Sequence, residues 1–160
     1  MPRRLVLLRH AKSSWPADVP DHKRPLGSRG RREAPLAGRW LAEHVPDIEL
    51  VVCSSAERTR QTWERVHPEL ATTPELRVDD RVYEASARDL MEVARELPET
   101  ARTVLFIGHN PGLEDLIAEL TLSWRTMLTS SIAVLSVSGD WADLTHGQAN
   151  LGALETPRGV

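Results

Sequence analysis

The 160-residue sequence is long enough to bury a hydrophobic core and short for two ordinary domains, so one domain over residues 1–160 is expected. Its 41% hydrophobic and 27% charged residues exclude a disordered or fibrous chain. A formal charge of −3 excludes general attraction to nucleic acid, which needs clustered Lys and Arg, so any anion site must be local.

The lone Cys53 can form no intrachain disulfide and no cysteine-rich zinc site, and it reads as a small buried residue at a strand end. Residues 1–8 lack the apolar stretch of a signal peptide. No segment approaches the roughly 20 apolar residues that span a bilayer. A cytoplasmic location with neither membrane nor nucleic acid as partner is expected.

In chain order, the apolar residues 5–8 predict a buried strand that opens abruptly into polar residues. The loop 11–27 carries Pro16, Pro20 and Pro25 among charges and belongs on the surface. Ser28 is placed to cap a helix running to His44, with Leu36, Trp40, Leu41 and Val45 as its apolar stripe. Pro35 is either tolerated there or splits the helix.

Residues 48–53 predict a second strand and 57–66 a helix. Residues 81–83 read as a short strand, and Ser86 with Asp89 as a capping box opening a helix to about Leu97. Residues 103–107 predict a strand and 113–120 a helix. Residues 131–137 and 141–144, flanking Ser138, Gly139 and Asp140, read as a hairpin. The alternation predicts a three-layer α/β/α sandwich around a mostly parallel sheet.

Three polar clusters follow three of these strands: Arg9 with His10, residues 54–58, and His109 with Asn110. Ligands of open parallel sheets bind beyond the carboxyl ends of the strands, so the clusters are expected to converge. Guanidinium groups bind phosphate oxygens through paired hydrogen bonds, and two arginines with two histidines suit a compact dianion. Taken singly, an Arg at a strand end is more often merely solvated; the combination reverses that prior.

The stretches LVLLRHAKSSW, SSAERTRQT and FIGHNPG together resemble the histidine phosphatase superfamily, also called phosphoglycerate mutase-like, and within it the phosphohistidine phosphatases of the SixA type. The segment RPLGSRG is also similar to the family's pattern, and the likeness runs from the first strand to about Leu120. It implies a phosphoglycerate mutase-like fold, His10 as nucleophile, Arg9, Arg58 and His109 as catalytic and phosphate-binding groups aided by the Asn110 turn, and no metal or organic cofactor. Arg9 and Arg58 are expected to lower the His10 pKa and keep its imidazole neutral.

Two departures from the family pattern stand out. Ala11 replaces the glycine that usually follows the nucleophile, and Asn110 replaces the Asp by which larger family members protonate the leaving group. Glu84 resembles the acid of several small members, although a solvated or capping glutamate is equally consistent. Lys12, Ser13 and Arg24 are possible substrate-binding residues or a solvated charged loop.

The five tryptophans read as core or half-buried anchors, and His22, His44, His67 and His146 show no metal-ligand spacing. The preferred expectation is hydrolysis of phosphohistidine in a histidine-phosphotransfer or phosphocarrier protein. A small phosphomonoester as substrate and an inactive phospho-ligand binding module are the alternatives.

Overall fold

The computed structural model describes residues 2–158. Its centre is a six-stranded sheet of β1 (Arg3–Arg9), β2 (Leu50–Ser54), β3 (Glu75–Asp79), β4 (Thr103–Gly108), β5 (Ile132–Val137) and β6 (Ala149–Glu155), in the order β3-β2-β4-β1-β5-β6. The first four strands run parallel; β5 is antiparallel to β1, and β6 to β5. The helices are α1 (Ser28–His44), α2 (Glu57–Val66), α3 (Ala87–Arg95) and α4 (Gly112–Thr121).

The apolar runs of β1 and β4 are buried on both faces, which is why they read as continuous rather than alternating. Leu5, Leu7, Val104 and Phe106 pack toward the layer that holds Leu90 of α3 and Leu113 of α4. Val6, Leu8, Leu105 and Ile107 pack with Ala34 and Leu41 of α1 and Trp63 of α2. The result is the expected α/β/α sandwich around a mostly parallel sheet.

Helix α1 is unbroken. Pro35 cannot donate to the Arg31 carbonyl, which instead accepts from Arg65 Nη1 at 3.4 Å. Ser28 is the first helical residue and not the cap; Gly27 is, without a side-chain bond. The buried face comprises Gly30, Glu33, Ala34, Ala37, Gly38 and Leu41, so Leu36 and Trp40 of the expected stripe lie at its margin, half-buried. The Ser86–Asp89 capping box is present.

Three further expectations fail. Residues 81–83 form no strand: Asp80–Val82 is a 3-10 turn, and the strand is Glu75–Asp79, an exposed edge whose Leu76 and Val78 remain largely in solvent. The hairpin partner of β5 is β6, while Trp141–Asp143 is a 3-10 turn whose Trp141 is fully buried and donates from its indole to the Ala101 carbonyl at 2.7 Å. Trp15 and Trp124 are 75% and 58% exposed and anchor no core.

Candidate active site

The three polar clusters meet at the carboxyl edge of the parallel strands. Arg9 ends β1 with His10 next to it, Ser54 ends β2, Arg58 lies in the first turn of α2, and His109 follows β4. The His10 and His109 ring centroids are 5.3 Å apart. Two motif glycines permit this closeness: a Cβ at Gly30 would lie 2.1 Å from the Lys12 carbonyl oxygen, and one at Gly112 would lie 2.2 Å from that of Ala85. Gly30 brings α1 against the chain after His10, and Gly112 brings α4 against the turn after Glu84.

His10 is buried, and its Nδ1 lies 2.8 Å from the Ala11 carbonyl oxygen. A carbonyl only accepts, so Nδ1 carries the proton and the neutral ring keeps a lone pair on Nε2. Burial is the largest cause that lowers the His10 pKa, to about 4, and the charges of Arg58, Arg9 and Arg24 add to it. The bond to the Ala11 carbonyl, which raises the pKa, comes second, and the arginines expected to dominate follow both. The loop is held in place by the Ala11 amide, which donates to Thr62 Oγ1 at 3.0 Å, and by the Leu26 amide, which donates to Gln61 Oε1 at 2.8 Å. Thr62 and Gln61 belong to the SSAERTRQT stretch, whose pattern alone gives them no role.

His109 places Nε2 2.7 Å from Ser54 Oγ and leaves a buried Nδ1 without a partner. Burial first, then the charges of His10 and Arg58, lower its pKa to about 3. Arg9 donates from Nη1 to the Met127 carbonyl at 3.0 Å, and Asn110 Nδ2 donates to the same oxygen at 2.8 Å. The Met127 amide in turn donates to Glu114 Oε2 at 2.8 Å. Arg9 Nε, Arg58 Nε and Asn110 Oδ1 are buried and unbonded, an array of open valences that points to a ligand-binding centre.

Asp21, unremarked in the sequence, is the anion of the free site. Its carboxylate accepts from Tyr83 Oη at 2.5 Å, from Arg24 Nη1 at 3.0 Å and from Arg58 Nη2 at 3.2 Å, while its carbonyl accepts from Arg58 Nη1 at 2.8 Å. The Tyr83 hydrogen bond, with those of the arginines, holds the carboxyl well below the usual carboxylate range. Asp21 stays ionised and is no proton donor. Tyr83 also sets its ring edge-on to His22 and His109, and His22 Nε2 lies 2.9 Å from Ser55 Oγ. These are polar residues on short irregular segments, with no periodicity to mark them.

The remaining sequence candidates divide. Arg24 and Ser13 are buried and bonded to each other at 2.5 Å, and the Arg24 guanidinium stacks on Trp15 at 3.2 Å. Lys12 is exposed; among the described residues its carbonyl, not its ammonium, has a partner, the Gly27 amide at 2.9 Å. Glu84 is exposed at φ 54°, an uncommon conformation for a non-glycine residue, and lines with His109, Asn110 and Asp115 a groove of about 430 Å³. Among the described residues, no group of three or more His, Cys, Asp or Glu is arranged to hold a metal ion, and no helix is long and apolar enough to cross a membrane.

Comparison with known proteins agrees with this geometry. The uncharacterized protein Rv1276c of Mycobacterium tuberculosis is 36% identical over 162 residues, covering 94% of this chain and all of that protein. A protein from Nakamurella multipartitia, solved as a candidate phosphohistidine phosphatase SixA, superposes with a TM-score of 0.88 at 34% identity, covering 98% of this chain and 97% of its own. The protein histidine phosphatase SixA complexed with tungstate gives 0.83 at 26% identity over 96% and 97% of the two chains. The model of the histidine phosphatase superfamily (branch 1) matches residues 5–117, the span that carries every cluster described above, and the chain belongs to that superfamily.

Proposed function

We propose that the chain hydrolyses phosphohistidine in a partner protein through a covalent phosphohistidine on His10. His10 Nε2 attacks phosphorus and the bond from phosphorus to the substrate's imidazole nitrogen breaks, with that nitrogen taking a proton from solvent or from Glu84. Water then attacks the phosphorylated His10, loses a proton and releases inorganic phosphate with His10 restored. Arg9, Arg58 and His109 bind the equatorial oxygens as charge builds on them. No step calls on a metal or organic cofactor.

The observation that carries the substrate class is Asn110. Beside His109, where a carboxylic acid would serve an alkoxide leaving group, an amide donates to the Met127 carbonyl and has no proton to give. Imidazole leaves more readily than an alkoxide, so a phosphoramidate tolerates that loss. The SixA likeness supports the same substrate class.

One observation favours a second reading: Glu84 lines the groove beside His109 and could protonate an alkoxide, which would admit a small phosphomonoester. The test is hydrolysis of phosphorylated phosphocarrier and histidine-phosphotransfer proteins beside a panel of sugar phosphates, with acid-labile phosphate trapped on His10. Faster turnover of the phosphoproteins is expected. Turnover confined to the sugar phosphates would overturn the substrate class, and the absence of label on His10 would overturn the mechanism.

A further inference from the structure

The roles above leave Ser54 unused, yet it makes the shortest hydrogen bond to either central histidine. We propose that Ser54 is a positioning residue that fixes His109 in the tautomer with its proton on Nδ1, so that the ring offers the phosphoryl group an N–H donor and not a lone pair. The phosphatase reading supplies the anion in that statement; the tautomer belongs to the free protein.

The proton inventory of one hydroxyl leads there. Ser54 Oγ has one proton to give and two lone pairs. One lone pair accepts from the Ala56 amide at 3.2 Å, and the other contact of the hydroxyl is His109 Nε2 at 2.7 Å. Ser54 is fully buried at the end of β2, so water is not at hand for a spare proton. Nearby Thr59 Oγ1 lies within hydrogen-bond distance of the Ser54 and Ala56 carbonyls and donates to them, leaving the Ser54 hydroxyl no second acceptor among the described residues.

A neutral His109 ring has a single proton, and its burial beside Arg58 keeps it neutral. If that proton sat on Nε2 and pointed at Ser54, the Ser54 hydroxyl would be a buried donor with no acceptor. His109 Nδ1 would then be a bare lone pair in a site built for anions. If Ser54 donates to Nε2, the Ser54 and His109 side chains leave a single polar position unsatisfied, Nδ1–H, which is the buried ring nitrogen found without a partner. With Nε2 occupied, Nδ1 is the one ring position left for a ligand.

His10 shows the complementary device. There the fixed partner is a carbonyl, which takes the Nδ1 proton and bares Nε2 for attack. Two neutral histidines 5.3 Å apart thus acquire opposite characters, one nucleophilic and one hydrogen-bond donating, because one leans on an acceptor and the other on a donor.

The experiment is long-range ¹H–¹⁵N correlation on the full chain labelled with ¹⁵N-histidine near pH 7, with His109 assigned by the loss of its signals in His109→Gln. The expected wild-type spectrum has a protonated Nδ1 and a bare Nε2; a protonated Nε2 would overturn the proposal without any substrate being involved. Ser54→Ala should move the His109 signals toward the Nε2–H form, weaken binding of orthovanadate about tenfold or more and lower kcat/KM by a similar factor, and Ser54→Thr should restore all three. Ser54→Ala with wild-type ring signals would sink the idea. Should that variant fail to fold, the wild-type spectrum and Ser54→Thr still decide it. A chain inactive on every phosphoprotein but with Nδ1 protonated would fail the substrate reading and leave the tautomer assignment standing.

Discussion

At the amino end of the parallel strands, Arg3 directs its terminal nitrogens at Glu99 and Asp140, Arg4 meets Asp47, and Glu49 accepts from the Arg102 and Thr103 amides. At the carboxyl end, Arg9 finds among the described residues a carbonyl as its hydrogen-bond partner, and His109 keeps a ring nitrogen open. Arg58 is held by one residue, Asp21, through its carboxylate and its carbonyl. The same sheet thus pairs both arginines with carboxylates at one end, with Arg3 Nε left unbonded, and at the other end leaves Arg9 without a carboxylate partner among the described residues. Substitutions at the amino end should change stability at constant activity per folded molecule, and those at the carboxyl end should do the reverse.

The largest expected effect at the carboxyl end comes from His10→Ala, which removes the proposed nucleophile while the neighbouring elements keep their contacts. Turnover should fall by about 10³-fold or more with little loss of thermal stability. Retention of a tenth of wild-type turnover would be incompatible with a covalent intermediate on His10.

The matching substitution at the amino end is Trp141→Ala. Trp141 is fully buried and its indole bonds the Ala101 carbonyl, so the cavity and lost packing should cost about 3–5 kcal/mol. Denaturant unfolding would measure this, and kcat per folded molecule should not move. A variant equally stable, or one that folds and loses turnover, would break the division between the two ends.

Arg58→Lys is a smaller change at the carboxyl end. Arg58 uses two separate nitrogens, Nη1 on the Asp21 carbonyl and Nη2 on its carboxylate, and a phosphoryl group should call on the same fork. An ammonium cannot reproduce it, so turnover should fall roughly tenfold, about 1.4 kcal/mol of transition-state binding. Unchanged kinetics would place Arg58 outside the reacting centre.

Proton linkage gives a further test. His10 and His109 have folded pKa values lowered to about 4 and about 3, below the 6.5 of an unperturbed imidazole. Between those values the unfolded chain binds more protons than the folded one. The contribution of both rings to stability is therefore complete above about pH 6.5 and is lost as pH falls toward 4. Thermal melts from pH 8 to 4 should show this decline, and His10→Ala should make it shallower. An equal slope would mean that His10 is not buried neutral.

How much of this was legible in the sequence depends on where a residue sits. Leu5, Val6, Leu7 and Leu8 announce β1 because burial on both faces leaves an uninterrupted apolar run, and Arg9 and His10 are conspicuous because polarity returns so sharply. The edge strand β3 gives a fainter signal: Glu75, Arg77 and Asp79 alternate with Leu76 and Val78 at period two, but none of the five is buried, so no apolar run marks it. Asp21 and Tyr83 carry no such signal. Their role arises when an irregular loop folds across the end of β2, and only their three-dimensional partners reveal it.

The smallest expected effect, and the sharpest probe of substrate class, belongs to Glu84. It faces the groove that also contains His109 but is exposed and hydrogen-bonded to nothing among the described residues, so its loss should leave the fold unaffected. If it protonates the leaving group, Glu84→Gln should slow a sugar phosphate strongly, a phosphohistidine protein modestly and an activated aryl phosphate hardly at all, because the need for a proton falls in that order. An equal loss on all three would make Glu84 a positioning residue, held at its unusual φ of 54° to shape the groove. No loss on any would leave it a solvated glutamate, and the phosphoramidate reading drawn from Asn110 would then stand without a protein acid.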